Sequence, residues 1–127
     1  MRLHHVQVSM PRGEEERARR FYRDAVGLTE VDKPEGLAGR GGCWFRGFDG
    51  EEVVAEIHVG VEDPFHPARK AHPALVVDSP EELEAMAARI EAGGFELSWS
   101  ERTTFPGYLR FHARDGAGNR IEVLTPC

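Results

Sequence analysis

The chain has 127 residues and a formal net charge of −6, enough for one domain that buries about two thirds of its unfolded surface. Its excess of acidic residues and the lack of a basic stripe exclude a nucleic-acid or anionic-membrane surface, and no apolar run approaches membrane-spanning length. Met1-Arg2-Leu3 leads straight into a strand without a signal-peptide pattern, so a cytoplasmic location is expected. The two cysteines, Cys43 and Cys127, form no C-x-x-C pair and suggest neither a zinc knuckle nor a disulfide framework.

Leu3 to Met10 reads as a strand that stops at Pro11. From Glu14 the apolar period lengthens, and Ala18, Phe21, Tyr22, Ala25 and Val26 form one helical stripe that ends at Gly27. Leu28 to Val31 starts a second strand, broken by Lys33-Pro34-Glu35-Gly36. The glycine-rich 39–42 segment leads to a third strand, Cys43 to Arg46. Asp49-Gly50 signals a hairpin into Val54 to Val61, which carries Glu56 and His58. Residues 62–70 read as a linker.

Ala71 to Val77 is the next expected strand, opening with His72. Ser79-Pro80-Glu81-Glu82 then combines an N-cap, a first-turn proline and a capping-box glutamate. Leu83, Met86, Ala87 and Ile90 make the buried stripe of that helix, and Gly93-Gly94 ends it. Strands are expected at Phe95 to Trp99, at Tyr108 to Ala113 and around Glu122, the last stopped by Pro126.

The two halves repeat. His5, Glu14, Glu15, Gly27 and Trp44 correspond, 67 positions on, to His72, Glu81, Glu82, Gly94 and Phe111, whereas His58 and Glu122 are 64 apart. A late loop of the second half is therefore three residues shorter. Each half reads β-α-β-β-β, giving one α+β domain over 1–127 with repeat one at about 1–61 and repeat two at about 71–126. Glu122 lies between Ile121 and Val123, where an ionised carboxylate points to water, pairs with a cation or binds a metal. The matching place in the first repeat holds His58, a second side chain able to bind metal.

Four runs, Leu3-His4-His5-Val6-Gln7-Val8, Phe21-Tyr22-Arg23-Asp24-Ala25-Val26-Gly27-Leu28, Ala71-His72-Pro73-Ala74-Leu75-Val76-Val77 and Asp115-Gly116-Ala117-Gly118-Asn119-Arg120-Ile121-Glu122, together resemble the vicinal oxygen chelate superfamily. That superfamily includes glyoxalase I, bleomycin-binding proteins, fosfomycin-resistance enzymes, methylmalonyl-CoA epimerase and extradiol dioxygenases. The resemblance implies two curved mixed sheets facing each other as a cup, often completed across a homodimer, with a small-molecule substrate. By position it implies metal ligands at His5, His58, His72 and Glu122. Glyoxalase I commonly has a carboxylate where this chain has His58, and Glu56, on the same strand face, is the other candidate.

Three imidazoles and a carboxylate suit Zn²⁺, Ni²⁺, Co²⁺, Mn²⁺ or Fe²⁺ and leave two cis positions for vicinal substrate oxygens. The leading expectation is a metal-dependent, glyoxalase-like lyase or isomerase working through an enediolate, with Glu122 or Glu56 moving the proton. His5, His72 and Glu122 also make a two-His, one-carboxylate set, so an Fe²⁺ extradiol-type dioxygenase is an alternative. A non-catalytic drug- or metabolite-binding protein of the bleomycin-resistance kind is another. His4, His66 and His112 read as surface or packing residues.

Overall fold

The computed structural model describes residues 1–127. The first repeat contains strands β1 (Val6–Met10), β2 (Thr29–Val31), β3 (Cys43–Asp49) and β4 (Glu52–Val61), and helix α1 (Glu15–Arg19), which continues as a π-helical segment, Arg20–Ala25. The second repeat contains β5 (Ala74–Val76), helix α2 (Pro80–Ala92), β6 (Leu97–Ser98), β7 (Tyr108–Arg114) and β8 (Arg120–Pro126). Each repeat makes its own four-stranded mixed sheet, in the orders β1-β4-β3-β2 and β5-β8-β7-β6. In both, the first strand runs parallel to the last and the remaining pairs are antiparallel. This is an α+β, twofold-repeated architecture, as the sequence implied, with two sheets that do not close on each other. No helix is long and apolar enough to cross a membrane.

The helical stripes face one continuous core. Ala18, Phe21, Tyr22, Ala25 and Val26 are all buried, as are Leu83, Met86, Ala87 and Ile90. They meet Cys43, Phe45, Ile57 and Val59 of the first sheet and Phe111, Ala113, Ile121 and Val123 of the second. Fully removing a side chain such as Phe21 or Ile90 from water is worth about 1.5–3 kcal/mol. Burial also raises the Cys43 thiol to about 11, leaving it a protonated core residue at neutral pH. Because strand side chains alternate, these apolar positions place Glu56, His58, His112 and Glu122 on the opposite sheet faces.

Polar contacts fasten the two repeats. Tyr22 Oη donates to Asp115 Oδ2 at 2.5 Å, Asn119 Nδ2 donates to the Ser9 carbonyl at 2.7 Å, and Arg89 Nε donates to the Ala25 carbonyl at 2.9 Å. The turn that carries Asp115 passes so close to α1 that a Cβ at Gly116 would lie 2.6 Å from the Arg17 carbonyl oxygen.

Several boundaries differ from those expected. The helix from Glu14 changes to π geometry, with the Val26 amide donating to the Phe21 carbonyl at 2.9 Å; the wider turn still points the whole apolar stripe inward. Residues Glu35–Arg40 form a 3₁₀ helix where the glycines suggested only a loop. The expected strand Phe95 to Trp99 shortens to Leu97–Ser98. His5 and His72 stand just before β1 and β5 rather than inside them. At His72 the cause is local, because Pro73 has no amide hydrogen to give to the ladder.

The cap of α2 follows the sequence, with the Glu82 amide donating to Ser79 Oγ at 3.2 Å and Glu82 Oε2 accepting from the Asp78 amide at 2.9 Å. Ser79→Ala is expected to cost about 1 kcal/mol, read as a lower urea midpoint with an unchanged slope.

Candidate functional site

Strand register decides which polar side chains meet. Gln7 of β1 and Trp44 of β3 flank His58, whereas Ala74 of β5 and His112 of β7 flank Glu122. His58 and Glu122 thus occupy corresponding places on the central strands. The repeat counterpart of Trp44 is His112, not Phe111 as the 67-residue offset implied. Phe111 is one residue away and points into the core with no exposed surface.

In the first repeat the His58 ring lies between two others, stacked on Trp44 at 3.7 Å and on His5 at 4.0 Å. Only 5% of His58 is exposed, and its Nε2 has no hydrogen-bond partner. Glu56 Oε1 accepts a hydrogen bond from Arg46 Nε and lies 3.8 Å from His58 Nε2, while Glu56 Oε2 is 3.3 Å from His4 Nδ1. His4, His5 and Glu56 present ligand atoms within 4.8 Å of one another. His4 is a surface residue, as expected, and it also joins the candidate cluster.

In the second repeat, Glu122 Oε2 is 2.9 Å from His72 Nε2 and 3.4 Å from His112 Nε2, while Oε1 accepts from Arg110 Nη1 at 3.2 Å. Arg110 is held in turn by Thr104 Oγ1 at 2.9 Å and the Glu101 carbonyl at 3.2 Å. His72 Nδ1 is 2.8 Å from the Lys70 carbonyl. A carbonyl only accepts, so Nδ1 carries hydrogen, and in the neutral ring the Nε2 lone pair faces the carboxylate oxygen. Two acceptors at that separation require a proton or a cation between them. His66 belongs to neither cluster.

The sheets bring His5 beside His58 and His72 beside Glu122, but the two pairs stay in separate groups, one per repeat. Sequence reasoning read His112 as a surface or packing residue and Arg46 and Arg110 as surface residues or holders of a substrate anion, without assigning them to Glu56 and Glu122. The signal lay in the register: His112 pairs directly with Glu122, Arg46 with Glu56, and Arg110 with Leu124 two residues further on.

Burial lowers the His58 and His112 imidazoles from their ordinary value near 6.5, with a neighbouring His5 and Arg120 adding to the effect respectively. Burial acts to raise Glu56 and Glu122, but Arg46 at the first and His72 with Arg110 at the second outweigh it, holding both below the usual 4.5. Both kinds of shift mean that the unfolded chain takes up protons before the folded one. For the metal-free protein, the contribution of these groups to stability is therefore full above about pH 6.5, falls through the imidazole range, and falls again below about 4.5. Urea midpoints measured from about pH 8 to pH 4 check this; a midpoint that rises on acidification contradicts it.

The family profile described as the Glyoxalase/Bleomycin resistance protein/Dioxygenase superfamily matches residues 2–123. The crystal structure of a glyoxalase-family protein from Bacillus anthracis is 40% identical, with all of both chains covered and a TM-score of 0.81. Lactoylglutathione lyase from Agrobacterium tumefaciens is 21% identical over 98% of this chain and 92% of its own, with a TM-score of 0.68. The fosfomycin resistance protein FosX from Listeria monocytogenes is 16% identical over 100% and 92%, with a TM-score of 0.69. The last two likenesses concern the fold. No curated protein matches the chain.

Proposed function

Because the chain belongs to the Glyoxalase/Bleomycin resistance protein/Dioxygenase superfamily, we propose that it is a divalent-metal-dependent, glyoxalase-like lyase or isomerase acting on a small substrate with vicinal oxygens. His5, His58, His72 and Glu122 would hold the metal, in a cup completed by a second copy of the chain. The observation that carries this reading is the donor chemistry. His58 Nε2 is a buried nitrogen without a partner, and the His72 lone pair faces Glu122 across 2.9 Å. Each arrangement costs about 1–3 kcal/mol unless a cation or proton sits at the nitrogen, and the set suits Zn²⁺, Ni²⁺, Co²⁺, Mn²⁺ or Fe²⁺. Glu56 is the alternative ligand to His58; like Glu122, it has one carboxylate oxygen held by an arginine.

A bound divalent cation supplies Lewis-acid stabilisation of the charge that develops on adjacent substrate oxygens. The chain supplies the proton transfer. Glu122 and Glu56 are carboxylates held below the usual 4.5 and so ionised at neutral pH, and either can accept the proton from the hydroxyl-bearing carbon next to the carbonyl and return it to the former carbonyl carbon. Arg110 holds Oε1 of Glu122, so proton transfer by Glu122 would use Oε2 after it leaves the metal and His72.

The test is conversion of a panel of α-hydroxycarbonyl compounds, including the adduct of glutathione with methylglyoxal, by metal-loaded and chelator-treated protein. Turnover that disappears on chelation and returns with added metal supports the proposal. Saturable binding without turnover, unchanged by chelator, refutes it in favour of a sequestering protein.

A further inference from the structure

We propose that His112 is a metal ligand, and that with His72 and Glu122 it forms a three-ligand site contained within the second repeat of a single chain. This assignment rests on the reading of His72 and Glu122 as ligands and adds one that neither the repeat pattern nor the family resemblance supplied.

The geometry is convergent. His72 Nε2 and His112 Nε2 approach the same carboxylate oxygen, Glu122 Oε2, at 2.9 and 3.4 Å, and all three ligand atoms lie within 4.8 Å of one another. Donors around one ion at 2.0–2.2 Å are separated by about 3–4 Å, so this spacing suits a shared cation. The two rings meet edge to face, 5.6 Å between centroids and 89° apart.

The independent observation is His112 itself. It is 9% exposed, and its Nε2 has no hydrogen-bond partner. A buried nitrogen left unpaired costs about 1–3 kcal/mol, a penalty that coordination would remove. The surroundings are built as ligand supports: the Lys70 carbonyl fixes the His72 ring, and Arg110 holds the other Glu122 oxygen. Such supports orient ligands and strengthen binding. The result is a two-His, one-carboxylate set with open positions, the donor class that suits Fe²⁺, Co²⁺ and Zn²⁺.

The test uses full-length, tag-free protein titrated with Co²⁺ and followed by visible absorption, with the imidazoles counted by X-ray absorption on the Zn²⁺ form. The double variant His5→Ala/His58→Phe removes the first-repeat imidazoles and keeps an aromatic ring against Trp44. It is expected to bind one Co²⁺ per chain with two imidazoles. Adding His112→Gln is expected to weaken binding by roughly 100-fold or more, since even the loss of a ligand's supporting partner costs 10–100-fold. His112→Phe, compared for thermal midpoint, guards against misfolding, and the imidazole count on the double variant needs no change at His112.

A double variant that binds no Co²⁺, or affinity unmoved by both His112 substitutions, overturns the assignment. The two proposals fail separately. Wild-type protein that turns over substrate but loses its metal in the double variant removes the His112 site and keeps the lyase reading. Metal held through His112 with no turnover of any α-hydroxycarbonyl does the reverse.

Discussion

Glu122→Gln is expected to abolish metal binding at micromolar concentration and to reduce turnover by roughly a thousandfold. The substitution keeps the size and one oxygen of the side chain but removes its charge, and that charge faces His72 at 2.9 Å, His112 at 3.4 Å and Arg110 at 3.2 Å. Arg110, which favours an anion, and the two imidazoles then face a neutral amide. Only 4% of Glu122 is exposed, so water does not replace the lost interaction. Metal content and initial rates measured on the same preparation check both effects, with near-UV circular dichroism as the control for folding. Unchanged metal content and rate would remove Glu122 from the centre.

The largest expected structural effect lies away from the metal ligands. Asp115 is buried and accepts from Tyr22 Oη at 2.5 Å, from the amides of Ala117 and Asn119 at 2.9 Å each, and from Asn119 Nδ2 at 3.0 Å. It therefore shapes the turn before β8 and ties that turn to the π-helical segment of the first repeat. Burial, reinforced by the Asp115 charge, holds Tyr22 well above its ordinary value of 10, so its hydroxyl stays a donor.

Asp115→Ala leaves several buried donors unpaired and is expected to destabilise the protein by about 3–4 kcal/mol, a fall in Tm on the order of 10 °C. Asp115→Asn keeps one acceptor and should lie between. Thermal unfolding at fixed protein and metal concentration measures both; a fall of less than about 2 °C for the alanine variant contradicts the network's role.

Much of this was legible because local chemistry and tertiary structure agree. The helical stripes at Ala18–Val26 and Leu83–Ile90 are the ones buried, the β3–β4 turn falls at Gly50-Glu51, one residue past the expected Asp49-Gly50, and Ser79 caps α2. The correspondence of His58 with Glu122 survives as equivalent register on the two central strands. What escaped was anything that depends on a one-residue slip. A slip of one reverses every side chain of a strand. Matching Trp44 to Phe111 therefore hid His112, which the pairing places directly opposite Glu122. Arg46 and Arg110 escaped for a related reason: their carboxylate partners lie on neighbouring strands, and sequence spacing does not state strand register.

The metal centre is tested most directly by elemental analysis of tag-free wild-type and Glu122→Gln protein, each loaded in turn with Zn²⁺, Ni²⁺, Co²⁺, Mn²⁺ and Fe²⁺ and then dialysed exhaustively. The geometry predicts close to one ion per wild-type chain with at least one of these metals and almost none in the variant. Wild-type protein that retains no metal under any loading would contradict it.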